Sequence, residues 1–251
     1  MMLPSTHPKQ YQDVKFTLMW WTAILLFMIG FLFYLFVLPD EHRQSIERVV
    51  GQIISYGIIM GLSIVFSWFL IFFLNLHLVY DHYFARWRFY YNLDFVLPTL
   101  VRPFTRELDG RFLQEAERNI DEFMKLFYHF VGDYEHDYKV KENLKVRFYE
   151  IAQKYWITQI NEIMALFLSM ITIVYYFVYK SLGLPLDTIV ITSFIATAFF
   201  LTNHYLSLRL RESIRIATKD QIEDIHGRFL KQLEDQLREL HKKFGLKYGE
   251  G

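Results

Sequence analysis

Four stretches free of Asp, Glu, Lys and Arg constrain this chain more than any motif in it. They run for 24 residues between Lys15 and Asp40, 32 between Arg48 and Asp81, 17 between Glu162 and Lys180, and 21 between Asp187 and Arg209. A helix rising ~1.5 Å per residue crosses a ~30 Å hydrocarbon layer in ~20 residues. The first and fourth windows fit that length. The second is long enough to tilt, or to run on past Asn75 and His77. The third is short, so Glu162 is expected at the interface with its carboxylate snorkelling to water. A soluble helix turns one face to solvent and carries charge there, so charge-free runs in series predict membrane spans. The first run is longer than the ~7–15 residues of a signal-peptide core and ends in Leu38-Pro39-Asp40 without a small-residue cleavage pattern, so it reads as a retained span.

The expected fold is therefore all-α and integral to the membrane: four transmembrane helices, N-in and C-in, with a small cytoplasmic helical bundle and an amphipathic C-terminal helix. The segments are 1–15, a cytoplasmic N-terminus; 16–80, transmembrane helices 1 and 2; 81–160, a cytoplasmic helical insert; 161–208, transmembrane helices 3 and 4; and 209–251, the cytoplasmic C-terminal helix. Orientation rests on Lys and Arg placement. Of the 27 basic residues, 24 fall in the N-terminal segment, the insert and the tail; only Arg43, Arg48 and Lys180 lie in the other two connections. The inner (cell) membrane, with the soluble mass on the cytoplasmic side, is the expected location. Trp20, Trp21 and Tyr80 then mark the inner interface, and Tyr175, Tyr176 and Tyr179 the outer one.

The insert and tail carry helical stripes. Leu113, Ala116, Ile120, Phe123, Phe127 and Phe130 draw one apolar face on a helix expected from Thr105 and ended by Gly132-Asp133. Val140, Leu144, Phe148, Ile151 and Tyr155 draw another, on a helix expected to continue into the third span. Ile222, Ile225, Phe229, Leu233, Leu237, Leu240 and Phe244 form the tail stripe, closed by Gly245 and Gly249. Glu234 with Arg238 and Glu239 with Lys243 stand at i,i+4, each worth ~0.2–0.5 kcal/mol. The three stripes are expected to close a bundle within the chain, with association between tails as the other arrangement. Pro98 and Pro103 are expected to break helical structure.

Composition excludes much chemistry. The chain has no Cys, so disulfides, thiolate metal sites and cysteine nucleophiles are ruled out. Formal net charge is zero, so there is no basic field for nucleic acid. No nucleophile elbow, phosphate loop, dinucleotide glycine fingerprint or H-E-x-x-H is present. Catalytic, cofactor-binding and metal residues are accordingly expected to be none. His77 and His204, at cytoplasmic span ends, read as interfacial histidines rather than haem ligands. Asp133-Tyr-Glu135-His136-Asp137 lacks calcium-loop spacing and reads as a solvated turn. Glu223-x-x-His226 is a single copy of a motif that dimetal bundles need twice.

Three sets of residues remain as candidates. Gly57 and Gly61 form a GxxxG in the second span, with Gly51/Ser55 and Ser63/Ser67 as further small-residue pairs suited to close helix packing. Thr188, Thr192, Thr197 and Thr202 in the fourth span are candidate pore-lining hydroxyls; the other reading is that they bond back to their own helix. Arg86 and Arg88, within the aromatic run from Tyr83 to Tyr91, are candidate lipid-headgroup contacts; the other reading is a packed continuation of the second span.

The order of two spans, insert, two spans and tail is that of flagellar-motor stator A subunits. Ile195-Ala-Thr-Ala-Phe199, followed by Asn203, resembles the last span of the wider superfamily that includes ExbB and TolQ. That resemblance covers some ten residues and implies a ring built around a partner bearing the proton-binding carboxylate. The Gly-rich third span is absent, and Gly183-Leu-Pro185 replaces the Gly-Pro entry to the fourth. The expected function is a homo-oligomeric channel or pore subunit with a cytoplasmic gating or docking region. The alternatives are a membrane anchor recruiting a cytoplasmic protein, or a stator-like subunit. The expected partners are the lipid bilayer, further copies of the chain and a cytoplasmic protein.

Overall fold

The computed structural model describes residues 8–34, 40–104, 110–132, 140–179 and 186–245. The Asp133–Asp137 loop, Gly183-Leu-Pro185 and Lys180 lie outside the described residues, as do the side chains of Tyr175, Tyr176, Tyr179 and Thr188. Every regular element among the described residues is helical. In chain order these are α1 (Tyr11–Leu32), α2 (Asp40–Val50), α3 (Gln52–Trp68), α4 (Leu76–Tyr80), α5 (Trp87–Tyr91), α6 (Leu97–Val101), α7 (Gly110–Arg118), α8 (Ile120–Val131), α9 (Glu142–Tyr179) and α10 (Leu186–Lys243). Wider π-type turns at Phe69–Phe73, Asp81–Ala85 and Asn92–Val96 join several of the short helices.

Among the described residues, three helical segments are long and apolar enough to cross a membrane: Tyr11–Leu32, Gln52–Phe73 and Glu142–Ile173. The second charge-free window does not form one helix. Asn75 adopts a left-handed backbone (φ 49°) that ends the α3 segment and starts α4.

The chain divides into two compact units. The first comprises Met1–Tyr80 and Gln153–Leu210. Here α1 lies along α3, burying Val14, Leu18, Thr22 and Ala23 from one helix and Ser55, Ser63 and Ser67 from the other. Each of these serines donates back to its own helix: Ser55 to Gly51 O, Ser63 to Ile59 O and Ser67 to Ile64 O. The outward side of α3 is almost wholly apolar, with Ile53, Leu62, Val65, Phe66 and Trp68 exposed. A contiguous exposed apolar face of this kind suits hydrocarbon rather than water.

The second unit comprises Asp81–Ala152 and Arg211–Gly251. Its core gathers Leu97, Leu100 and Val101 from α6, Phe112 and Ala116 from α7, Phe123 and Phe130 from α8, and Ile222, Ile225, Leu233 and Leu237 from α10. Each such side chain contributes ~1.5–3 kcal/mol when fully buried, before the entropy of ordering is set against it. Of the tail stripe, Ile222, Ile225, Leu233 and Leu237 are buried in this core, whereas Phe229, Leu240 and Phe244 are partly exposed.

Three local expectations are corrected. The helix through the first stripe is broken at Asn119 (φ −129°, ψ 42°), so α7 and α8 are separate. In consequence α7 buries Phe112 and Ala116 while Leu113 is exposed. Pro98 does not break a helix. It occupies the first turn of α6, where its missing N–H costs nothing. Lys243 donates to Glu122 on α8 at 3.0 Å, a cross-helix pair in place of the i,i+4 contact with Glu239. The Glu234–Arg238 pair forms as expected, at 2.7 Å.

Candidate functional site

The part of the first unit richest in chemistry is a buried polar layer centred on α9. On α9, the run Gln159-Ile-Asn-Glu162 puts three polar side chains within one turn, all almost completely buried. Trp21 on α1 donates its indole N–H to Asn161 Oδ1 at 2.8 Å. Asn161 passes its own amide N–H to Asn203 Oδ1 on α10 at 2.7 Å. Asn203 in turn donates to the carbonyl of Phe199, four residues back on its own helix, at 2.8 Å. Three helices are thereby joined by one directional chain of hydrogen bonds. Such bonds tie helices together where lipid provides no hydrophobic drive for association.

Glu162 belongs to this layer, and its placement differs from the expectation. It does not snorkel. Its side chain is 2% exposed, with His204 Nδ1 3.7 Å from its Oε1, beyond hydrogen-bond distance. His204 itself is about half exposed and stacks on Phe200. Oε1 of Glu162 and Oε1 of Gln159 both lie buried without a hydrogen-bond partner. Gln159 uses its amide nitrogen on the Tyr155 hydroxyl at 2.7 Å, which turns the carbonyl oxygen away from that ring. Periodicity could not have found this layer, because Glu162 reads in sequence only as the charge that ends a window.

His77 is fully buried, its Nε2 2.7 Å from the Tyr11 hydroxyl and its ring packed against Trp156. It is a packing residue of the first unit, far from the half-exposed setting of His204. In the second unit His226 donates from Nε2 to the carbonyl of Leu100 at 2.7 Å, so the Glu-x-x-His motif serves to hold α10 to α6. Among the described residues no three His, Cys, Asp or Glu side chains come together in a metal-binding group.

Of the candidate threonines, Thr197 stands apart: it is five residues from both Thr192 and Thr202, a turn of ~140° at ~100° per residue, whereas Thr192 and Thr202 lie within ~80° of each other. Thr197 and Thr202 are exposed, and each donates back to its own helix, to Ser193 O and Ala198 O, both at 2.8 Å. The buried stripe of this half of α10 is Ala196, Asn203 and Ser207.

Of the glycines, Gly57 and Gly61 have no atom of another described element within 4 Å of where a Cβ would stand, so the GxxxG faces outward. The close approach is at Gly30 on α1. A Cβ there would meet Ile59 Cγ2 at 3.1 Å. The sequence signal for it is weak, since Gly30 stands alone in its span.

Arg86 and Arg88 lie in the second unit. Arg86 has a left-handed backbone (φ 45°) and donates its N–H to Asp81 O. The Arg88 backbone N–H meets Asp81 Oδ2 at 2.9 Å, and its guanidinium donates to the Tyr128 hydroxyl at 3.2 Å. Asp81, 3% exposed, is thus the cap of α5, a role not evident from sequence. Tyr83, Phe84 and Tyr90 project outward, between 51% and 75% exposed. Tyr91 turns inward instead and shares a buried hydroxyl–hydroxyl bond with Thr218.

Comparison with protein-family models, curated proteins and solved structures gives no match for this chain.

Proposed function

We propose that the chain is a four-span membrane protein, with both termini and the second unit in the cytoplasm, that assembles from several copies into an ion-conducting channel. The first 23 residues of α10 supply the fourth span. The observation that carries this reading is the buried polar layer of Asn161, Glu162 and Asn203 inside apolar helices. Ionisable and amide groups buried among apolar helices are costly, and in membrane proteins they commonly line an ion pathway. This moves the conducting chemistry from the threonines of α10 to the α9–α10 interface. The outward Gly57/Gly61 face supports contact with a neighbouring copy, and the exposed Tyr83, Phe84 and Arg86 support a position against lipid headgroups.

Purified protein reconstituted in vesicles tests the reading through cation and anion flux, with native mass spectrometry for the number of subunits. Absence of flux for every ion and voltage applied would remove it. A second reading, a membrane anchor for a cytoplasmic partner, is favoured by the self-contained core of the second unit, which leaves the charged face of α10 exposed. It predicts capture of one specific cytoplasmic protein that is lost when Arg238 and Lys231 are reversed in charge.

A further inference from the structure

We propose that Glu162 and Gln159 bind an alkali-metal cation. This rests on the channel reading and gives it a sign, a binding position and a ligand class.

Glu162 and Gln159 are three residues apart on α9 and so share a face, with their Cβ atoms ~5–6 Å apart. Each has a side-chain oxygen, Oε1, that is buried and has no hydrogen-bond partner. The nearby donors each make a bond elsewhere, and none is directed at these two oxygens. Trp21 serves Asn161, Asn161 serves Asn203, Asn203 serves Phe199, and the Gln159 amide serves Tyr155. The imidazole of His204 lies 3.7 Å from Glu162 Oε1, outside hydrogen-bond distance and within ion-pair range only for a protonated ring. An acceptor buried without a donor costs the full desolvation of the group, and an ionised carboxylate costs far more. A cation relieves both oxygens together, because anionic and amide oxygens are the ligands that hard cations take. One carboxylate is too few for a calcium-type or transition-metal site, and among the described residues no three His, Cys, Asp or Glu side chains gather here. A monovalent ion suits a ligand set with one carboxyl group, and His204 beside it is about half exposed.

One rival arrangement needs no ion. If the Gln159 side chain is turned over, its carbonyl accepts from the Tyr155 hydroxyl and its amide donates to Glu162. The test separates the two. The full chain in detergent is heated in lithium, sodium, potassium, rubidium or choline chloride at one pH and one ionic strength. The expected result is a midpoint several degrees higher in one alkali salt than in choline, saturating with concentration. Saturable binding of the radioactive form of that ion to the wild-type protein should accompany it, so the proposal does not depend on any variant folding. Glu162→Gln should abolish both effects while helicity and elution volume are retained. Equal midpoints in all salts without saturable binding overturn the site, and so does a response to pH alone. Flux in vesicles without ion-specific binding would leave the channel and remove the site; binding without flux would do the reverse.

Discussion

The amide of Asn161 on α9 donates to Oδ1 of Asn203 on α10 at 2.7 Å, and both side chains are buried. The bond joins two helices at the level where Trp21 brings in a third. Replacing either asparagine with Ala should lower stability in a bilayer or bicelle by about 1 kcal/mol, and a double-mutant cycle should leave a coupling of about 0.5–1.7 kcal/mol. Unfolding by steric trapping or detergent exchange measures both. A coupling near zero would mean that the two residues act separately.

Glycine packing gives an opposed pair of outcomes. Gly30→Leu places bulk against Ile59, 3.1 Å from the new Cβ, and should part α1 from α3, seen as a lower unfolding midpoint and reduced yield. Gly57→Leu meets no atom of another described element and should leave the midpoint of the single chain unchanged. If copies associate through that face, it should lower the oligomer mass in native mass spectrometry.

The second unit has a sensitive centre at the end of α8. Phe130 is fully buried and stacks on Phe229, so Phe130→Ala should cost about 3–5 kcal/mol. Gly132 follows with φ 80°, a left-handed position that ends the helix. Gly132→Ala should cost about 1 kcal/mol, since a Cβ is disfavoured there. Chemical denaturation of the full chain, followed by fluorescence, reads both.

Hydrogen bonds from Lys125, and then from Lys243, hold the Glu122 carboxyl below the ordinary carboxylate range. A group depressed in the folded state contributes stability above its unfolded value, and the contribution is lost as pH falls through the lower folded value. Acid titration of the unfolding midpoint should therefore be shallower in Lys243→Met than in the wild type. The effect is small because the pair is solvent-screened.

Burial pushes the Tyr91 phenol up, and the bond to Thr218 offsets only part of this. The folded state therefore holds the proton. Stability from this group is present below the ordinary tyrosine value of about 10 and is lost as pH rises beyond it. Tyr91→Phe should flatten the alkaline limb of the stability curve. At neutral pH it should cost about 1 kcal/mol for the Thr218 hydroxyl left without its partner.

The C-terminal stripe shows how far pattern alone reaches. Ile222, Ile225, Leu233 and Leu237 recur at helical spacing, and all four are fully buried. Such a stripe can be satisfied only by an apolar neighbour. The first stripe was misread by one residue, Leu113 for Phe112, because the break at Asn119 resets the phase of the helix. A local hydrogen bond from the Asn119 side chain to Glu115 O accompanies that break. Asparagine competes with the helical backbone in this way, but sequence does not say at which position the competition succeeds.

Charge-free length, helical class and much of the C-terminal stripe were determined by sequence, because they follow from periodicity and from the exclusion of charge. The direction of each polar side chain was decided by tertiary structure. Whether Glu162 reaches water or turns inward, whether Gly30 or Gly57 bears a close contact, and whether Arg88 meets Tyr128 depend on neighbours distant in the chain. The physical reason is that burial is periodic along a helix, whereas a hydrogen bond or a close approach needs a particular partner at a particular distance, and no spacing rule along one strand of sequence encodes that.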